Sequence, residues 1–423
     1  GDRRLGTSSA VFPRVLIMKS SRVLPATGLA IALLAGSGAH AGIEWVSCFG
    51  SNSSGQVSTP ANLAKPIAIS AGSFHTLVVT PQGSVVAWGA NGSGQCSPPI
   101  GLMNVVEVAG GGEHSVALTE AGTVVCWGDN SLTQCEVPGK LPPVIAIAAG
   151  GLHTVALTEA GEVICWGDPF EGACEVPANL GPCVDIAAGG LFTVAVRANG
   201  TVAVWGNGFG GVLDVPVGLA GVVDVEAGLD HIVAVRNDGT VVCWGSNGEG
   251  QSEVPASLGP VRLVAAGVDH TLALRMDGTV VGWGSNGSGQ LNIPASAEVA
   301  GGIAAGAFHS AIRYIVDCNG NAIDDAIEIA DGLVTDCNAN GVPDACDLAD
   351  DPSLDSNADG VLDACNYAAG DFNLNNEVDG QDLATMLAWW GIPNAPVGDI
   401  DGDGVVGNPD LSIILARWGP LQP

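Results

Sequence analysis

The C-terminal quarter of the chain places carboxylate and amide side chains at alternate positions, a spacing that suits a hard cation. Three segments recur every 19 residues, and two more lie 28 residues apart. In a twelve-residue loop, oxygen atoms at positions 1, 3, 5, 9 and 12 point to one centre, and Ca²⁺ takes six to eight such ligands. We therefore predict that Ca²⁺ is the cofactor of this region and that its ligands are Asp317, Asn319, Asn321, Asp325, Glu328, Asp336, Asn338, Asn340, Asp344, Asp347, Asp355, Asn357, Asp359, Asp363, Asp371, Asn373, Asn375, Asp379, Asp382, Asp399, Asp401, Asp403 and Asp410.

Two family resemblances follow from these loops. The 19-residue segments carry Cys318, Cys337, Cys346 and Cys365, and they resemble thrombospondin type 3 repeats. The last two loops precede LATMLAWWG and LSIILARWG, which have helical apolar spacing, and together they resemble a dockerin domain with EF-hand-like loops. That resemblance implies Ca²⁺ binding and a cohesin-like partner. The Ser-Thr pair that many dockerins use for cohesin is replaced here by Gly380-Gln381 and Asn408-Pro409.

The elements before these loops are set by a 39-residue repeat. Three columns keep that interval, and they are an aromatic residue before a glycine (Phe49, Trp88, Trp127, Trp166, Trp205, Trp244, Trp283), a proline (Pro60 to Pro294) and a histidine with one exception (His75, His114, His153, Phe192, His231, His270, His309). Short Val-, Ile- and Ala-rich runs separated by glycine turns predict strands. Radial four-stranded blades are the usual arrangement for such repeats because a ring leaves little exposed sheet edge.

The phase of the repeat predicts how the ring closes. The chain enters through the second half of a unit, 43–50, and leaves through the first half, 303–315, so these two halves should share one blade. The pattern AGGxHTVALTxxGxVxxWGxNxxGQ resembles the repeat of the regulator of chromosome condensation superfamily, a seven-bladed propeller. The short units ending in Val-Pro are most similar to bacterial members typified by beta-lactamase inhibitor protein II.

The predicted fold class is therefore all-β, with a seven-bladed β-propeller, a small calcium-binding loop array and a small α-helical dockerin-like module. The predicted domains are a leader and signal peptide (1–41), the propeller (42–316), the thrombospondin type 3-like repeats (317–367) and the dockerin-like domain (368–423). In the leader, Met18 is the expected start, and an apolar run ends at Ala39-His40-Ala41, which is typical of a cleavage site. A short N-terminal membrane anchor is the alternative.

Export would place the twelve cysteines in an oxidising compartment. Two pairings are open in the propeller. One joins neighbouring blades (Cys96 to Cys126, Cys135 to Cys165), and the other stays within a blade (Cys126 to Cys135, Cys165 to Cys174).

The histidines are interpreted as structural because every blade repeats them, whereas an active site needs asymmetry. Function is expected where the repeats differ, in the residue before the histidine and in the fourth residue after the tryptophan. In the inhibitor-like relatives these turns line a protein-binding face. Carried over by position, that face comprises Phe74, Leu152, Phe170, Leu191, Phe192, Phe209 and Phe308, with Asp230 and Asp269 on an acidic side. The alternative is that these rings fill local gaps.

A net charge of −31 argues against nucleic acid as a partner, since binding to phosphates relies on Lys and Arg. Glycoside hydrolysis needs a pair of catalytic carboxylates, and we find no pair that breaks the repeat pattern of the propeller. We predict a secreted or cell-surface bacterial protein that is not an enzyme, with a protein partner on one propeller face and a calcium-dependent tethering tail. The alternative is an accessory subunit of an extracellular, cellulosome-like assembly that degrades polysaccharides.

Overall fold

The structure is a computed structural model that describes residues 45–295, 299–321, 323–338, 340–392, 398–401 and 404–420. The predicted signal peptide and Asp403 lie outside these residues and stay predictions. The described residues form two compact units, 45–314 and 315–420, and each is described by itself.

The first unit consists of short strands separated by turns. Most are five or six residues long, and the second strand of each repeat is buried almost throughout because it lies between two other strands. The strands are β1 (Val46–Gly50), β2 (Ala68–Ala71), β3 (His75–Val79), β4 (Val85–Gly89), β5 (Val105–Gly110), β6 (His114–Thr119), β7 (Val124–Gly128), β8 (Val144–Ala149), β9 (His153–Thr158), β10 (Val163–Gly167), β11 (Cys183–Ala188), β12 (Phe192–Arg197), β13 (Val202–Gly206), β14 (Val222–Ala227), β15 (His231–Arg236), β16 (Val241–Gly245), β17 (Val261–Ala266), β18 (His270–Arg275), β19 (Val280–Gly284), β20 (Val299–Ala305) and β21 (His309–Ile315).

These strands form seven three-stranded sheets, so the expectation of four-stranded blades was wrong. A fourth strand is replaced by a turn-rich segment after each third strand. Glycines with positive φ, such as Gly55 (82°) and Gly94 (86°), reverse the chain there. Such a segment offers no extended run to pair with the sheet edge.

The predicted closure is confirmed. Strand β1 pairs antiparallel with β21, which in turn pairs with β20, so the two chain ends of the unit share one sheet. The first strands of successive sheets also contact one another in order, and β20 returns to β2. The sheets therefore form a closed circle of repeated blades, the arrangement of a β-propeller.

The core of the propeller lies between neighbouring sheets. Trp127 of one sheet, for example, belongs to the same buried cluster as Leu77 and Val79 of the preceding one. Each Trp-Gly aromatic is similarly buried, which agrees with its assignment to the core. Because each sheet covers the apolar face of the next, a single blade could not be stable alone.

The second unit combines oxygen-rich loops with short helices, and its last two helices are those expected from the apolar spacing. A small apolar core of Val378, Met386, Val406 and Ile414 lies around them. The elements are α1 (Asp325–Ala330), α2 (Asp344–Asp350), a 3₁₀ turn (Pro352–Leu354), α3 (Asp363–Ala369), β22 (Glu377–Val378), α4 (Gly380–Ala388), α5 (Asn408–Ala416) and β23 (Gly419–Pro420), with β22 paired to β23.

Candidate functional site

The histidine column joins neighbouring blades at six of the seven boundaries between the sheets. The His75 Nε2 atom lies 3.0 Å from Ser115 Oγ, and five further histidine–hydroxyl pairs lie 2.9–3.1 Å apart. Each hydroxyl also donates to a backbone carbonyl, as Ser115 does to Gln95 at 2.8 Å. The hydroxyl is therefore left to accept, so the imidazole donates from Nε2–H. These histidines form structural junctions.

Burial keeps the junctions neutral. Desolvation is the largest cause that lowers the pKa of all six imidazoles, from 6.5 to about 3 or about 4. A Cβ at Gly72 would overlap the His75 ring, which explains the glycine that precedes each histidine by three residues. The interpretation of the ring as structure agrees with this geometry.

Phe192 must be removed from the predicted partner face. Its side chain is fully buried, in a cluster with Val212 and Ile232, rather than exposed in a turn. Ile232 stands where six other units have Ser or Thr, so the apolar pair replaces both members of a histidine–hydroxyl junction. The sequence signal for the burial of Phe192 is Ile232, which stands in the column one residue after the histidine, one unit further along the chain.

The other predicted contact residues lie at one end of the propeller, where the first strand of each sheet turns into the second. We call this end the histidine-end face, and it comprises the turns 73–74, 112–113, 151–152, 190–191, 229–230, 268–269 and 307–308 and the loops 51–56, 90–95, 129–134, 168–173, 207–212, 246–251 and 285–290. Phe170 is 79 % exposed and Phe209 66 % exposed. Phe308 is exposed, and its ring centroid lies 6.1 Å from that of Phe74, while Leu152 and Leu191 are half-buried.

The two loops that carry the exposed rings are supported differently from their siblings. In five loops a buried glutamine accepts the backbone N–H two residues earlier, at 2.8–3.0 Å. Ala173 and Val212 replace that glutamine in the loops of Phe170 and Phe209. In these two loops a carboxylate holds the N–H one position earlier, because Asp168 Oδ1 accepts from Phe170 N at 2.9 Å and Asp230 Oδ1 accepts from Phe209 N at 3.3 Å. The backbone that presents each ring is therefore held in place.

The disulfides select the pairing within a blade. Cys126 pairs with Cys135, and Cys165 pairs with Cys174. Burial raises the pKa of the Cys243 thiol to about 12 and that of Cys96 to about 11, which makes them poor nucleophiles at neutral pH.

Each of the first three oxygen-rich loops gathers its alternate polar side chains around one carboxylate. In the loop at 336–347, Asn338 Nδ2 and Asn340 Nδ2 lie 2.8 and 2.9 Å from Asp347 Oδ2, so positions 3, 5 and 12 converge. Asp336 accepts from Asn340 N at 3.1 Å and from Gly341 N at 2.9 Å, where Gly341 turns the chain with φ 84°. The loop at 317–328 repeats this convergence on Glu328, and in the loop at 355–366 the side chains centre on Asp359.

Two disulfides connect these loops in a staggered order. Cys318 pairs with Cys346, and Cys337 pairs with Cys365, each over 28 residues. Each bond joins position 2 of one loop to position 11 of the next. Cys337 and Cys365 lie near Asp344, but as disulfide partners they offer no thiolate to a metal.

The last loop brings three carboxylates together. Oxygen atoms of Asp399, Asp401 and Asp410 all lie within 4.8 Å of one another. The Oδ1 atom of Asp399 is buried and has no hydrogen-bond partner within the residues that the structure describes. A buried carboxylate oxygen in that state suits a cation, so these residues fit a Ca²⁺ ion. In the other loop Asn376 adopts φ 65°, the conformation that Gly404 has in its sibling, so asparagine takes the place of the expected glycine.

Comparisons with known proteins agree with the repeat geometry. The model of the regulator of chromosome condensation (RCC1) repeat matches residues 67–95, 105–134, 144–173, 222–251 and 261–290, and the interval 174–221 holds Phe192 and Phe209. No curated protein sequence matches the chain. Among solved structures, Prp20p from Saccharomyces cerevisiae is 17 % identical, with a TM-score of 0.57 over 68 % of this chain and 94 % of that one. Human WBSCR16 is 20 % identical, with a TM-score of 0.52 over 64 % of this chain and 100 % of that one.

The repeats and these neighbours define an RCC1-like repeat propeller. The four disulfides indicate an oxidising environment. Across the described ranges, no helix is long and apolar enough to cross a bilayer.

Proposed function

We propose that this chain is a secreted or cell-surface binding protein, not an enzyme, whose seven-bladed propeller holds a protein partner on its histidine-end face. The observation that carries the proposal is the exposure of Phe170 (79 %) and Phe209 (66 %) in neighbouring loops whose backbones are fixed by carboxylates. Exposed aromatic rings on rigid backbone cost little entropy to bury, which makes them effective anchors at interfaces. Phe74, Phe308, Leu152 and Leu191 would extend the contact surface.

The comparison proteins are consistent with binding. Prp20p is described with binding properties to Gsp1p and histones, and the yeast protein also has a structure bound to Kap60. The identities of 17 % transfer the fold and not these partners. The candidate catalytic groups point the same way, because the histidines are engaged in junctions and the raised pKa values of Cys96 and Cys243 keep these thiols protonated.

A matched pair of proteins tests this function. Phe170→Ser and Phe209→Gly introduce the residues that sibling loops carry at Ser131 and Gly248. In its own loop Ser131 N donates to Asp129 Oδ1 at 3.2 Å, as Phe170 N does to Asp168 Oδ1. Wild-type chain and the double variant are immobilised in Ca²⁺ buffer and exposed to the extracellular fraction of the native cells. The proposal expects a protein that is retained by the wild type and lost from the variant. Identical retention by both would reject the face.

We further propose that the C-terminal unit is a calcium-dependent tether. The converging loops, the unpaired buried Oδ1 of Asp399 and the duplicated loop–helix modules support Ca²⁺ binding by the residues predicted from the sequence. The dockerin resemblance makes a cohesin-like module the proposed partner of α4 and α5, and it keeps the accessory subunit of a polysaccharide-degrading assembly as the second candidate. Binding of purified cohesin modules to the full chain, with and without chelator, separates a cohesin tether from another attachment.

A further inference from the structure

The two ends of the propeller differ in charge. None of the turns and loops of the histidine-end face, all of which the structure describes, contains Lys or Arg. The same turns and loops hold seven acidic residues, Glu113, Asp129, Asp168, Glu171, Asp230, Glu249 and Asp269. The opposite end mixes both signs, because exposed acids such as Glu120 and Glu159 lie there together with five basic residues: Lys65, Lys140, Arg197, Arg236 and Arg275. The exposed aromatic rings of the histidine-end face are therefore surrounded by negative charge alone.

The acidic groups are interleaved with the rings. Asp230 accepts from the backbone of Phe209, and the adjacent Leu229 is 45 % exposed. Asp269 accepts from Gln251 Nε2 at 3.0 Å, and Glu249 is exposed in that same loop. Partial burial and the like charges of Glu249 and Asp230 raise the pKa of the Asp269 carboxyl. A cation brought to this group would relieve that repulsion.

We propose that the partner of the histidine-end face is a protein whose contact surface presents Lys or Arg side chains beside apolar ones. The inference rests on the proposed binding function and adds the chemistry of the partner. The apolar side chains cover Phe170 and Phe209, and the cations lie over Asp230, Glu249 and Asp269. Complementary charge of this kind speeds association and excludes acidic surfaces, while the rings supply most of the affinity.

The test uses a phage-displayed random peptide library as the probe and the full chain in Ca²⁺ buffer as the target. Binders to the Phe170→Ser/Phe209→Gly chain are removed first, because the acidic C-terminal unit and the opposite end are the same in both proteins. Selection on the wild type should then give peptides enriched in Lys and Arg together with aliphatic or aromatic residues, relative to the unselected library.

Two charge variants locate the effect. Asp230→Asn/Glu249→Gln/Asp269→Asn keeps the acceptor oxygens for Phe209 N and Gln251 Nε2, so the loops keep their support. It should weaken the selected peptides about tenfold at low salt and flatten the salt dependence of their affinity. The matched control, Glu120→Gln/Glu159→Gln/Glu162→Gln, removes three exposed acids from the opposite end and should change affinity less than about twofold.

Each contrary result has a distinct meaning. Peptides that need Phe170 and Phe209, yet show no Lys or Arg enrichment and bind the charge variant normally, would overturn the charged partner and leave the face intact. If no selected peptide distinguishes wild type from the Phe170→Ser/Phe209→Gly chain, the binding function itself fails. Self-association of the wild type that the same substitutions abolish, measured by sedimentation, would make a second copy of this chain the occupant and would also overturn the inference.

Discussion

The propeller and the C-terminal unit hold their chain in different ways. Each propeller sheet buries its apolar side chains against the next sheet, and neutral histidine junctions add a hydrogen bond at six of the seven boundaries. In the C-terminal unit the buried cluster around α4 and α5 contains only four fully buried side chains, and charged loops and two disulfides make up the rest. The propeller should thus depend on the completeness of its ring, and the C-terminal unit on its cation.

Deleting 45–50 should have the largest effect on the propeller. Strand β1 is the part of the shared sheet that comes from the start of the ring, and its loss exposes the edge of β21. We expect the propeller to lose cooperative unfolding and to aggregate. Calorimetry measures the first effect and light scattering the second. Deleting 370–423 is the control and should leave the melting of the propeller in place. Equal losses from the two deletions would contradict a ring closed by β1.

Removing calcium should disorder the other unit alone. Without a cation the carboxylates of the loops repel one another, so chelation should expose 317–420 to protease while the propeller keeps its melting temperature. Limited proteolysis and circular dichroism with and without chelator measure both. Equal protease resistance of this segment in the two conditions would reject the calcium assignment.

Much of this contrast could be predicted from residue spacing, because spacing reports repeated contacts. The phase of the 39-residue repeat predicted the closure of the ring, and the apolar spacing of the last two segments predicted helices α4 and α5. The prediction of a fourth strand was wrong because glycines such as Gly94 turn the chain where an extended run was assumed. Phe192 was misplaced because its burial depends on Ile232, a contact between units that a reading of one column does not reveal. The support of Phe209 by Asp230 is likewise a contact across blades.

Acid should weaken the propeller through its histidines. Their folded pKa lies below the unfolded value of 6.5, so the unfolded chain binds protons first, and stability is present above pH 6.5 and falls as pH drops toward 4. Each histidine should cost on the order of 1 kcal/mol of stability per pH unit within this window. Urea unfolding across this range measures the loss. A His75→Phe/Ser115→Ile variant, which copies the Phe192–Ile232 pair, should show a smaller pH dependence than the wild type, and an unchanged pH dependence would contradict the account.

Converting the Phe192–Ile232 pair into a histidine–hydroxyl junction should have a smaller effect on the free energy of unfolding. Phe192→His alone would bury an imidazole N–H opposite Ile232 with no acceptor, at a cost of about 2–4 kcal/mol. Adding Ile232→Thr should restore about 1 kcal/mol or more by providing the hydroxyl of the other junctions. A double-mutant cycle on unfolding free energies measures the coupling. Strictly additive losses would show that the two positions do not form one junction.

The smallest effect on stability is expected at the exposed rings, and it tests the central claim most directly. Thermal melting of the Phe170→Ser/Phe209→Gly chain should match the wild type closely, because 79 % and 66 % of these side chains already face solvent. Binding of a captured partner should weaken by on the order of 2 kcal/mol or more per ring that acts as an anchor. A large fall in melting temperature, corresponding to the several kcal/mol of unfolding free energy that deletion of a buried phenylalanine costs, would place the rings in the core. That result would contradict the binding face.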